Sequence, residues 1–103
     1  MGYHVEINTM LRLGEADVKL EDLQIGKQYT ISKSNIRIYP IDMAILLLAE
    51  DWTVLGYCAI RKILISGKDM EITFEALSLF APDEKGIHTH RLKEALRAAD
   101  YEI

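Results

Sequence analysis

The chain has 103 residues, half of them hydrophobic and 27 % charged, with a formal net charge of −4 and a pI near 5.3. That is one domain's worth of chain, long enough to bury its own core without metal or disulfide staples, and its acidic balance argues against a broad nucleic-acid footprint. The single cysteine, Cys58, excludes an intramolecular disulfide and thiolate-rich zinc or redox motifs; the opening MGYHVEINTM lacks a signal-peptide pattern and the apolar run at 43 to 49 is too short to span a bilayer, so a cytoplasmic protein without membrane contacts is expected.

Residues 3 to 13 alternate, with Val5, Ile7, Thr9, Leu11 and Leu13 on one side, which predicts a half-buried strand. GEAD at 14 to 17 reads as a polar turn. Gly26 marks a second turn before a strand from 28 to 32. Ser34 and Asn35 lead into a third strand over 36 to 39, and Pro40, which has no N–H to donate, separates it from an apolar strand over 41 to 49. EDWT turns the chain again, with Trp52 expected to pack over the end of the core rather than serve as a contact residue.

The next two segments, TVLGYCAIRKILIS and DMEITFEALSLF, form the clearest unit: a long hairpin with Gly67 and Lys68 in a type II′ turn that pairs Ser66 with Asp69. Regular counting from the turn puts Ile65, Ile63, Arg61 and Ala59 on the core face, opposite Met70, Ile72, Phe74 and Ala76. It leaves Cys58, Ile60, Leu77 and Leu79 as an apolar patch on the outer face. Leu92, Ala95, Leu96 and Ala99 then fall at helical spacing, predicting a C-terminal helix that docks on that patch. The alternative use of the patch is an interface with a protein partner or a second copy. One domain over 1 to 103 is expected, mainly β within the α+β class. It is a small, mostly antiparallel six-stranded barrel or curved sheet over 1 to 80, with a helical segment over 82 to 100 packed on it.

INTML at 7 to 11, RIYPIDMAI at 37 to 45, GYCAIRKI at 56 to 63 and SLF at 78 to 80 together resemble a small family of bacterial proteins of unknown function, found chiefly in Gram-positive species. The resemblance spans residues 5 to 80 and stops before Pro82. It implies a bacterial cytoplasmic protein and transfers no catalytic residue. The strand LGYCAI ahead of a long hairpin is also similar in pattern to RNA-binding barrels of the pseudouridine-synthase-associated type, a likeness of fold that does not fix function.

Three groups of residues carry candidate chemistry. His88 and His90, in GIHTHRL, have the spacing of two zinc ligands projecting from one side of a strand; on a helix the same spacing separates them by about 200°. Thr89 reads as the N-cap of the last helix, which makes the pair a solvated helix start, or an anion site assisted by Arg91. Arg61, placed on the core face, must reach water, pair with a carboxylate or hold a ligand. With Arg37, Tyr39 and Tyr57 it would line a basic, aromatic concavity for RNA or a nucleotide. Cys58 is expected to be buried and inert.

No nucleophile elbow, phosphate loop or acid/base pair is present in the sequence, and no cofactor is expected. The reading is a binding or interaction domain that engages a protein partner or itself. An RNA- or nucleotide-binding barrel and a metal-dependent enzyme built on His88 and His90 are the alternatives.

Overall fold

The long hairpin anchors the molecule. In a computed structural model that describes residues 7 to 14, 17 to 34 and 36 to 99, its two strands are β4 (Val54–Ser66) and β5 (Asp69–Leu79). Residues 3 to 6 of the first predicted strand and residue 100 of the helical segment lie outside the described residues. Ser66 pairs with Asp69, and Gly67 takes a φ of 62°, as a type II′ turn requires.

Three shorter strands complete one sheet: β1 (Met10–Arg12), β2 (Gln28–Lys33) and β3 (Ala44–Leu48), in the order β1-β3-β4-β5-β2. Among the strand pairs of the described residues, β1–β3 is parallel and the other three are antiparallel. The sheet curls into a half-barrel, with one helix, α1 (Pro82–Ala98), following it. Its two edge strands approach one another at one end, where Lys33 Nζ on β2 donates to the Arg12 carbonyl on β1 at 3.0 Å and meets Asp17 Oδ2 at 2.9 Å.

The concave face holds the main core, in which Leu11, Leu13, Ile31, Ile45, Leu47, Ile72 and Phe74 are buried together. Tyr29 stacks on Phe74 with centroids 5.5 Å apart, and its hydroxyl donates to the Asp22 carbonyl at 2.6 Å. That bond fastens the loop before β2, including a 3-10 turn at Leu20–Asp22, to the sheet. On β3 the opposite face is covered as well: Leu48 is buried, as is its β4 partner Val54. An apolar run such as AILLL fits only where both faces are dry.

Among the described residues, five strands replace the expected six. Residues 36 to 39 join no ladder, and the alternation is not kept: Ile36, Arg37 and Ile38 are all exposed and only Tyr39 of the four is buried. Pro40 biases the residue before it away from regular pairing and brings no donor of its own. The segment's polar groups are satisfied singly: the Asn8 N–H donates to the Ile38 carbonyl at 2.8 Å, and the Arg37 N–H to Met70 Sδ at 3.3 Å. The strand expected over 41 to 49 starts later, because Asp42 takes a φ of 59° and breaks extended geometry.

The hairpin register holds from the turn as far as Lys62 opposite Thr73, then shifts. Ile60, not Arg61, faces Phe74, so Arg61 is the extra residue of a bulge. One extra residue reverses the parity of everything before it. Cys58 and Ile60 therefore point into the core, both 0 % exposed, and Ala59 turns to the other face. A second bulge, at Leu77, restores pairing as Tyr57 with Ser78. The outcome avoids burying a guanidinium in an apolar core, a cost far larger than that of a bulge.

The helix also begins earlier than its apolar stripe suggests. Pro82 occupies its first turn, and Glu84 Oε1 accepts from the Ala81 N–H at 3.0 Å, so Thr89 lies in the middle rather than at the cap. Packing is on β4. The half-buried residues are Lys85, Thr89, Leu92, Lys93 and Leu96, whereas the expected Ala95 and Ala99 are exposed.

Candidate interaction surface at the hairpin edge

The sequence-predicted sites come apart in the fold. His88 and His90 sit two residues apart within α1, on different sides of it. His88 stacks on Phe80, 4.3 Å between centroids, and Phe80 meets Tyr57 edge-on at 5.7 Å. His90 lies 3.5 Å from Glu94, on the exposed surface. Among the described residues no group of three or more His, Cys, Asp or Glu side chains is placed to hold a metal. The anion site at a helix start beside Arg91 is corrected by the true start at Pro82; Arg91 pairs with Glu94 at 3.3 Å. Thr89 has a structural task instead: its Oγ1 accepts from the Val54 N–H at 2.9 Å and ties the helix to the start of β4.

The proposed Arg37, Tyr39, Tyr57 and Arg61 concavity is not assembled. Tyr39 is in the main core, Arg37 is exposed, and Tyr57 lies against Phe80. Arg61, released from the core by its bulge, donates from Nη1 to Asp42 Oδ1 at 2.8 Å, with its Nε 3.6 Å from Glu75. The Asp42 hydrogen bond, with support from Glu75, raises the guanidinium's pKa and keeps it charged. Of the outer patch, Leu77 and Leu79 are half-buried, while Cys58 and Ile60 have moved into the core. Burial pushes the Cys58 thiol up to about 12, so it is no nucleophile at neutral pH. Trp52 is half-buried with the Arg12 guanidinium 4.7 Å from its ring centroid.

Two features emerge that the residue patterns did not single out. One is an open cleft of about 730 Å³ between the 13 to 21 loop and the turn at 49 to 51. Leu13, Val18 and Ala49 line it together with Lys19, Glu21, Glu50 and Asp51. Asp51 is committed to its own turn: it accepts from the Thr53 N–H at 3.1 Å, and hydrogen bonding from the Thr53 side chain, with support from that backbone bond, lowers its pKa.

The other feature is an edge. β3 pairs with β4 only between Val54 and Ala59, and Ile41 adds a single bridge to Ile60. β5 continues alongside β4 to Ser66. From Arg61 to Ser66, therefore, β4 has a ladder partner on one side only among the described residues. In a two-residue hairpin the closing pair exchanges both hydrogen bonds, and alternate residues follow suit. Ser66, Leu64 and Lys62 thus spend their backbone groups on β5, whereas Ile63 and Ile65 present theirs to the open side.

Exposed apolar side chains lie on this edge, at its start and in the segment before it. Ile36, Ile38, Ile41, Met43, Leu64 and Ile65 are each between 46 % and 59 % exposed. The Arg37–Met70 contact holds Ile36 and Ile38 near the strand residue that pairs with Ile65. The Asp42 N–H, donating to the Ile60 carbonyl at 2.9 Å, places Ile41 and Met43 where the open stretch begins. A sequence signal for the edge did exist. The apolar hairpin strand runs through residue 66, while Pro40 truncates what could have paired with its last third.

No family model and no curated protein matches the chain. Its fold is similar to the crystal structure of the protein ytmB from Bacillus subtilis, a Northeast Structural Genomics Consortium target, with a TM-score of 0.55 and 22 % identity over 80 % of this chain and 98 % of that one. At that identity the similarity speaks for fold alone. A structural neighbour from a Gram-positive bacterium accords with the resemblance noted in the sequence.

Proposed function

We propose that this chain is a protein-interaction module that adds an extended, apolar segment of another polypeptide to the open edge of β4. The carrying observation is the coincidence of unpaired backbone groups at Ile63 and Ile65 with exposed Leu64, Ile65, Met43 and Ile41 around them. A long edge of this kind is a template for strand addition, in which main-chain bonds supply affinity and alternate side chains supply selectivity. The exposed apolar side chains beside it, Ile41, Met43, Leu64 and Ile65, favour a protein partner. Among the described residues, Lys62 is the charged side chain on the stretch that has no role in the fold's ion pairs, and a single lysine limits rather than prevents such pairing.

The backbone geometry supplies a selective test. At Ile65 the N–H faces the open side, so Ile65→Pro removes an outward donor while leaving the inner ladder intact. Short peptides selected from a random display library on the wild-type domain are then titrated against the variant. Support is a loss of about tenfold or more in affinity on I65P, with the melting transition retained. Peptides that bind both proteins alike, or that protect the 49 to 51 turn instead, would overturn the reading.

A further inference from the structure

The open edge has the chemistry to pair with itself. Resting on the interaction reading above, we propose that its partner is the same edge of a second copy, docked antiparallel about a two-fold axis through Leu64. Symmetry restricts the choice. Two identical antiparallel neighbours are related by an axis perpendicular to the sheet, so directly opposed residue numbers must have an even sum. The outward groups belong to Ile63 and Ile65, and these must oppose one another to exchange hydrogen bonds.

Of the registers that satisfy both conditions, the one centred on Ile63 sets Arg61 against Ile65, although Arg61 is already held by Asp42 and Glu75. The one centred on Ile65 sets Ile63 against Gly67 in the turn. The register centred on Leu64 has neither fault. It opposes Ile63 to Ile65 twice, forming two complete hydrogen-bonded pairs, and brings Leu64 against Leu64 between them.

Charge agrees with this placement. Lys62 comes opposite Ser66 of the second copy, whose ladder partner on β5 is Asp69, and the next pair along is Leu64 with Glu71. Each lysine thus points towards two carboxylates and away from its own symmetry mate. Like charges are not opposed anywhere along the pairing, and both halves of the exposed apolar rim are brought together. The interface is short, at the small end of specific contacts, so the association is expected to be reversible: dimer on the order of 100 µM and monomer on the order of 1 µM.

Cross-linking reads the register directly. Leu64→Cys places two thiols at a non-hydrogen-bonded pair, where opposed Cα atoms are about 4.5 Å apart and a disulfide fits. Glu71→Cys, one strand further from the axis in each copy, separates its two sulfurs by about three strand spacings, or roughly 14 Å, which no disulfide spans. Cys58 is buried and stays silent in both variants. Mild oxidation at high protein concentration is expected to give covalent dimer with L64C and none with E71C, and adding I65P should suppress it. Sedimentation velocity on the unmodified chain should show the same concentration dependence. Equal cross-linking of both variants, or a monomer at every concentration, overturns self-pairing. If library peptides still bind in an I65P-sensitive way while the chain stays monomeric, only the identity of the partner is wrong; if neither occurs, the edge reading falls as well.

Discussion

At Gly56 the backbone of β4 passes so close to β5 that a Cβ there would meet the Ser78 carbonyl oxygen well inside contact distance. The neighbour is main chain, which cannot swing aside, so Gly56→Ala must push the two strands apart beside the Leu77 bulge. A loss of about 3 kcal/mol is expected in urea unfolding, and a loss below about 1 would show that the bulge absorbs the methyl group. Two residues on, Cys58 makes a different prediction. Burial raises its thiol from 9.0 to about 12 in the folded chain. Above pH 9 the unfolded chain releases that proton while the folded chain keeps it. The contribution is therefore intact at neutral pH and declines between pH 9 and 12, by about 1.4 kcal/mol per pH unit at most. Lysines and tyrosines titrate there too, so the check is the stability difference between wild type and Cys58→Ala, which should shift in favour of the variant as pH rises from 8 to 10.

The helix shows where element-level reasoning succeeds and where it stops. Its existence was legible from Leu92 and Leu96, but its start was not, because Thr89 carries the chemistry of a cap and uses it on another element. Oγ1 accepts the Val54 N–H, a donor at the mouth of β4 where the pairing with β5, which starts at Gly56, has not begun. Thr89→Val keeps the shape and leaves that donor unpaired, for an expected loss of about 1–2 kcal/mol, while Thr89→Ser should retain most of the stability. Gly86 lies in the same helix with nothing within 4 Å of its would-be Cβ, so Gly86→Ala should raise stability by about 0.5–1 kcal/mol in the same melts. The hairpin was more legible still: turn, closing pair and register could be read as far as Lys62. Beyond it the period-2 pattern is ambiguous, since Cys58, Ala59 and Ile60 are apolar in succession and fit either parity. The cost of burying Arg61 decides between them, and that is a tertiary fact. The same shift dissolved the predicted concavity and patch, and uncovered the edge by leaving Asp42 to hold Arg61.

For the molecule as a whole, the question is what keeps a five-stranded sheet curled when its ends never join a common ladder. β1 and β2 are first and last in the strand order, and the Lys33 ammonium spans them by donating to the Arg12 carbonyl and to Asp17. Asp17 in turn accepts from the Gly14 N–H at 2.7 Å, so the loop leaving β1 is drawn into the same clasp. Both side chains of the ion pair are less than a fifth exposed, 16 % and 18 %, so solvent screens the contact only in part. Lys33→Met preserves the stem that crosses the gap and removes the donor. Loss of this clasp should cost about 1–2 kcal/mol. Hydrogen exchange should rise in β1 and β2 together, with β4 and β5 little changed, because the hairpin does not depend on the edges for its own pairing. A change under about 0.5 kcal/mol, with exchange altered only at residue 33, would mean that the concave core alone sets the curvature. The open stretch of β4 lies at neither end of the strand order, so peptide binding there should survive Lys33→Met. The curl and the interaction edge are separable properties of one sheet.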